Sequence, residues 1–189
     1  MKYSLIFTLA LVSVAGCRNR EPAPAFQLPA ATQTGANTMG FVVDDRVWQN
    51  HGRRCTMYGC HDNQLRGYVE TEYNGAQEFV LTAGLNAKDI DEGFSLSIDS
   101  LRGPGVYDAE LFPNSTTNSR LRNSLYFGNT KQNQSYWSRP QSSSRIVVTR
   151  LDTVARIISG TFEGRLYNLN DPAASVVIRD GRFDVKYEQ

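Results

Sequence analysis

The segment ISGTFEGRLYNLNDPAASVVIRDGRFDVKY, residues 158–187, decides the fold. In its first part every second residue is apolar or small, which is the period of a strand with one buried face. These residues are Ile158, Gly160, Phe162, Gly164 and Leu166. Residues 168–174, with Asp171-Pro172, predict a turn. Residues 176–187 then predict a return strand, in which Arg179-Asp180-Gly181 forms a bulge that resets the register.

Other segments of the chain show the same strand pattern. Phe41-Val42-Val43 and Arg46-Val47-Trp48 flank Asp44-Asp45 and predict a hairpin with a tight turn. Further strands are predicted around residues 79–83, 94–98, 121–127 and 145–151, whereas residues 85–91 fit one or two helical turns. The pattern therefore predicts an all-β domain, an antiparallel β-sandwich or barrel-like arrangement of about 8–10 strands.

The N-terminus carries the three parts of a secretory signal: Lys2, an apolar run over residues 5–14, and small residues before Cys17. The run is shorter than the roughly 20 apolar residues that span a bilayer. Val14-Ala15-Gly16-Cys17 resembles a bacterial lipobox, which implies cleavage before Cys17, lipidation of its thiol and attachment to a membrane. We therefore expect a cleaved signal at residues 1–16, a lipidated Pro-rich tether at 17–40 and a globular domain at 41–189. The resemblance also implies an outer-membrane protein that faces the periplasm.

Charge composition narrows the choice of partners. The chain has 20 basic and 19 acidic side chains, and removal of Lys2 with the signal leaves them equal in number. A near-neutral domain exerts no long-range attraction on nucleic acid, so we predict no nucleic-acid partner. An envelope protein or a glycan is the predicted partner besides the membrane.

Two segments resemble uncharacterised lipoproteins of Bacteroidetes-type bacteria. The opening segment, residues 28–48, contains TQTGANTMG followed by the hairpin that ends at Trp48. The closing segment combines SGTFE at 159–163 with DGRFDV at 180–185. The resemblance brackets nearly the whole mature domain, and it carries no function and no catalytic residues with it.

Both histidines and both remaining cysteines lie close together in the sequence, at His51, Cys55, Cys60 and His61. In an oxidising compartment the simplest interpretation is a Cys55–Cys60 disulfide. Alternatives are a zinc or copper site that uses all four side chains, covalent haem at a stretched Cys-x₄-Cys-His motif, and cysteines that stay reduced or pair elsewhere and have no role. We predict the disulfide, with no metal and no cofactor.

Catalytic motifs are weak in this sequence. There is no Gly-x-Ser-x-Gly elbow, and Glu163 and Asp184 are expected to be solvent-facing partners of Arg165 and Arg182. We therefore predict a non-enzymatic domain with a binding or structural role.

Aromatic residues in a polar region suggest where a ligand binds. Tyr126, Tyr136 and Trp137 lie among Asn, Gln and Arg residues, a combination that carbohydrate-binding surfaces use. We predict these three as candidate ligand-binding residues of a glycan-binding module. A metal or redox module at the Cys55–Cys60 loop is the other alternative.

Overall fold

A computed structural model describes residues 22–57, 59–62, 64–71, 75–111, 121–140 and 142–189. The predicted signal peptide and the lipidation of Cys17 lie outside these residues. The described residues form fifteen strands and contain no helix. The strands are β1 (Thr38–Val43), β2 (Arg46–Gln49), β3 (Arg53–Thr56), β4 (Gly59–Asp62), β5 (Leu65–Thr71), β6 (Gln77–Asn86), β7 (Asp91–Ile98), β8 (Gly105–Asp108), β9 (Glu110–Leu111), β10 (Leu121–Arg122), β11 (Leu125–Asn129), β12 (Gln134–Trp137), β13 (Arg145–Asp152), β14 (Ile157–Asn168) and β15 (Ser175–Glu188).

Eleven strands form one sheet in the order β2-β1-β15-β5-β6-β7-β11-β12-β14-β13-β8. An additional pairing of β14 with β15 joins the sheet to itself, so that seven strands close into a ring. All pairings in this sheet are antiparallel except the short β15–β5 contact. The all-β prediction is therefore confirmed, and the closed ring corresponds to the barrel-like alternative.

The predicted strand count was too low, and the helical turns predicted at residues 85–91 are absent. Strand β6 runs to Asn86 and β7 starts at Asp91, so this segment is the connection of a hairpin. Strands such as β8, β9 and β10 have only two to four residues, which is too short for alternation to reveal them.

The segment that decides the fold behaves as its pattern predicts. Strands β14 and β15 pair over nearly their whole length, from Ile157–Lys186 to Tyr167–Ser175. Their register shifts between Phe162 and Gly164, opposite the predicted bulge at residues 179–181. The predicted hairpin also forms, and Asp44 and Asp45 both adopt positive φ, as a type I′ turn requires.

Aromatic side chains fill the interior of the ring. Phe41 stacks on Trp48 with ring centroids 4.8 Å apart, and Phe94 stacks on Phe162 at 4.9 Å. Both pairs are buried. Burial of such side chains is the main favourable term in folding, on the order of 1.5–3 kcal/mol for each large apolar group.

Residues 24–37, which we call the strap, correct the predicted domain boundary. β1 begins at Thr38, inside the predicted tether. Further upstream, Phe26 makes an edge contact with the ring of His51 at 5.6 Å, and Arg182 donates to the carbonyl of Pro29 at 3.2 Å. A Pro-rich segment was expected to be free, but its extended backbone offers amides and carbonyls that the sheet binds.

Candidate functional site

One register row of the sheet places three aromatic residues side by side on its outer face. Tyr126 on β11 pairs with Trp137 on β12, and Trp137 pairs with Tyr167 on β14. Neighbouring strands lie about 4.8 Å apart, so the three residues span roughly 10 Å across the sheet. Trp137 is 39% exposed, and the two tyrosines are half-buried. We call these three residues the aromatic row.

The rings of the aromatic row are fixed by their neighbours. The centroids of Tyr126 and Trp137 are 4.5 Å apart. Tyr126 leans along its own strand over Gly128, where a Cβ would stand 2.3 Å from the tyrosine Oη. Because glycine leaves this space empty, the tyrosine ring lies against the sheet instead of projecting from it. Such packing restricts the rotamers open to the two rings, which lowers the entropy lost when a ligand binds.

Polar side chains continue the row on both sides. Ser95 on β7 pairs with Tyr126, and Ser175 on β15 pairs with Tyr167. The guanidinium of Arg139 lies over the Tyr167 ring, with Cζ 4.7 Å from the ring centroid. The surface therefore combines flat apolar faces with hydroxyl and guanidinium groups at its edges.

The structure brings together only two of the three predicted ligand-binding residues. Tyr126 and Trp137 share the outer face, but Tyr136 is 7% exposed and packs inward at 6.4 Å from Phe127. The prediction for Tyr136 was wrong because adjacent strand residues point to opposite faces. Sequence reasoning missed Tyr167, although its position next to the buried Leu166 marks it as outward-facing.

The predicted disulfide is present. Cys55 and Cys60 are bonded and stand opposite each other in the β3–β4 hairpin, with Cα atoms 4.0 Å apart. A sulfur committed to a disulfide is not a thiolate ligand, which removes two of the four groups of the metal hypothesis. Among the described residues there is no group of three or more metal-ligating side chains. The backbone of His51 forms an isolated parallel β-bridge with Leu85, and the His51 ring contacts the ring of Phe26.

Asp184 forms a buried polar cluster with the strap. Asp184 is only 1% exposed, and its carboxylate accepts hydrogen bonds from the hydroxyls of Thr32 and Ser159 at 2.6 and 2.7 Å. The backbone N–H groups of Thr34, Gly35 and Ala36 donate to it at 2.9, 2.8 and 3.1 Å.

These contacts make the Asp184 cluster structural. Burial acts to raise the pKa of Asp184, but the hydrogen bonds from Thr32, Ser159 and the strap amides outweigh burial and hold the pKa well below its usual value. The carboxylate was expected to face solvent as a partner of Arg182, and this expectation was wrong. A carboxylate so completely bonded has no lone pair directed at a substrate.

A groove of about 900 Å³ lies between the first residues of the strap and the ends of β5 and β15. Its lining includes Gln49, His51, Arg66 and Lys186. Arg66 is paired with Glu188 at 2.6 Å across it. The groove is open and mostly polar, and its aromatic lining residues, Phe26, His51 and Tyr187, do not form a register row like that of the outer face.

The fold and the surface together define a class: an all-β domain with an outward row of packed aromatic side chains. The chain belongs to the family described as a domain of unknown function, DUF5025, whose model matches residues 49–186. No curated protein and no solved structure matches the chain. The part of the chain that the structure describes has no helix long and apolar enough to cross a membrane.

Proposed function

We propose that this protein is a lipid-anchored lipoprotein of the cell envelope, held at the outer membrane through Cys17 and facing the periplasm. Its domain is a non-enzymatic binding module, and the aromatic row of Tyr126, Trp137 and Tyr167 binds carbohydrate. The single observation that carries the binding role is the outward register row with polar groups at both ends.

The chemistry of the aromatic row suits a sugar ring. A pyranose has one face made of C–H groups and a rim of hydroxyls. The apolar face stacks on an aromatic ring, while fixed polar groups bind the rim and set the orientation. Trp137 presents the largest exposed ring of the row, and Ser95 and Ser175 stand at its two ends.

Because the strap is bound to the sheet, only the residues before it can act as a tether, and this limits how far the domain can stand from the membrane. Phe26, the first strap residue with a ring contact to the domain, lies nine positions after Cys17. A fully extended chain covers at most about 3.6 Å per residue, so the anchor point and Phe26 are no more than roughly 32 Å apart. The domain would therefore stay close to the bilayer that holds the acyl chains.

Glycan-array binding of the full-length protein, extracted from its own membrane in detergent, tests the carbohydrate role. We expect binding to at least one glycan class, and we expect Trp137→Ala to abolish it with the fold intact. Val154→Ala is the matched control, since Val154 is 95% exposed and lies in the β13–β14 turn. Binding that survives Trp137→Ala would remove the aromatic row as the site.

Mass spectrometry of the same preparation tests the anchor. We expect a chain that begins at Cys17 and carries the added mass of acyl groups. Cys17→Ser should move the protein from the membrane fraction to the soluble fraction. A chain that starts elsewhere, with no acyl mass, would contradict the lipoprotein assignment.

A further inference from the structure

Two arginines stand at the Tyr167 end of the aromatic row. The guanidinium of Arg139 lies over the Tyr167 ring, and one of its nitrogens donates to the carbonyl of Asn168 at 3.2 Å. Arg165 precedes Tyr167 by two residues on β14 and therefore projects from the same outer face. It donates to the Ser175 hydroxyl at 3.0 Å.

These two guanidinium groups differ from most others on the outside of the sheet. Arg66, Arg145 and Arg179 are each paired with a carboxylate, namely Glu188, Asp108 and Asp45. Within the described ranges, Arg139 and Arg165 form no ion pair, and their recorded bonds go to a neutral carbonyl and a neutral hydroxyl. Each guanidinium has five N–H donors, so most of its donors remain available for a ligand.

We infer that the aromatic row binds an acidic sugar, a uronic acid unit whose ring stacks on Trp137 and whose carboxylate is bound by Arg139 and Arg165. This inference rests on the proposed carbohydrate role of the same surface. The planar guanidinium matches a carboxylate in a bidentate arrangement, which a neutral sugar does not offer. Stacking of Arg139 on Tyr167 and its bond to Asn168 fix one guanidinium in advance, which lowers the entropy lost on binding.

The test compares pairs of ligands that differ only at the carboxylate. The probes are trisaccharides of galacturonic, glucuronic and mannuronic acid, each with a partner in which the carboxyl group is reduced to a primary alcohol. Calorimetric titration of the full-length protein in detergent should show at least one acidic trisaccharide bound about tenfold or more tighter than its reduced partner, as charge-assisted bonds predict. Equal affinity within every pair would overturn the inference.

Substitutions of Arg139 and Arg165 test whether these two residues cause the preference for the acidic trisaccharide over the reduced one. Arg139→Gln and Arg165→Gln should each lower affinity for the acidic trisaccharide and leave affinity for the reduced one unchanged. Arg139→Lys should restore only part of the loss, because an ammonium group does not bind a carboxylate bidentately. The control is Arg102→Gln, at an exposed position in the connection between β7 and β8.

The outcomes separate this inference from the proposed function. Retained preference in both glutamine variants, with binding still abolished by Trp137→Ala, overturns the acidic-sugar inference alone. Binding that persists in Trp137→Ala overturns the carbohydrate role of the aromatic row and the inference with it. The absence of binding to all six probes overturns the acidic-sugar inference, whereas absence across the glycan array overturns the proposed function.

Discussion

The backbone N–H of Gly35 donates a hydrogen bond to Oδ1 of Asp184 over 2.8 Å, although the two residues lie 149 positions apart in the chain. Gly35 belongs to the opening segment and Asp184 to the closing segment. The two segments by which the sequence resembles a lipoprotein family are thus in direct contact. Their contact joins the strap to the sheet, so that the strap is a structural component of the domain.

Removing the charge of Asp184 should destabilise the fold. Asp184→Asn replaces one acceptor oxygen by an NH₂ group, which faces the strap amides or the Ser159 hydroxyl and cannot accept from them. Because several buried donors then lose a charged partner, we expect the free energy of unfolding to fall by about 2–4 kcal/mol in urea titrations. Glu163→Gln, at an exposed position on β14, is the control and should change it by less than about 0.5 kcal/mol. A loss in Asp184→Asn no larger than in the control would show that the cluster adds nothing.

Acid stability should also report on Asp184. A carboxyl whose pKa is lower in the folded state stabilises the fold fully above its unfolded pKa. This contribution is lost as the pH falls below the ordinary value of 3.8 towards the lower folded pKa. We expect the unfolding free energy of the wild type to decrease below about pH 4 more steeply than that of Asp184→Asn. Parallel pH profiles for the two proteins would contradict the depressed pKa.

Gly160 should not accept even a methyl group. A Cβ at this position would stand 2.2 Å from the carbonyl oxygen of Val147 and 2.8 Å from Cζ of Phe183. Gly160→Ala should therefore cost about 1–3 kcal/mol through overpacking, measured by thermal or urea unfolding. At Gly105 in β8 the nearest atom would be 3.9 Å away, so Gly105→Ala is the matched control. Similar stability of the two variants would refute the close packing of Phe183 on β14.

The disulfide should stabilise its own hairpin and leave the aromatic row unaffected. β3 and β4 form a separate two-stranded sheet, and the loop closed by Cys55 and Cys60 is short. Cys55→Ser with Cys60→Ser should cost about 2 kcal/mol or less, seen as faster proteolysis between residues 53 and 62. Ligand affinity should stay within twofold of wild type. A loss of carbohydrate binding in the double variant would show that this hairpin contributes to the binding site, which would contradict the prediction.

Local periodicity was enough to predict most of the long strands but neither the short strands nor the contacts between distant segments. The alternation at Phe162 and Leu166 correctly placed both in the interior, and the Asp180 bulge was visible as a break in the pattern. Asp184 has the outward parity expected of an exposed acid, yet the strap covers it from more than a hundred residues away. No short-range pattern encodes such a contact.

In the candidate site, too, the local pattern identified residues but not the long-range pairing that brings them together. Trp137 and Tyr126 were recognised from composition, but their pairing depends on the register between β11 and β12. Tyr136 was wrongly included because two adjacent aromatic residues leave open which one faces outward. Tyr167 joins the row only because the ring closes through the β12–β14 pairing, which brings together residues 30 positions apart.

Intrinsic fluorescence tests the central claim most directly, because the chain has only two tryptophans and Trp48 is fully buried. Titration of the full-length protein with the glycan selected on the array should give a saturable blue shift that arises from Trp137. The same titration should give no shift in Trp137→Phe, whereas the shift should persist in Trp48→Phe. A bound glycan that leaves Trp137 emission unchanged would contradict the assignment of the aromatic row as the carbohydrate-binding surface.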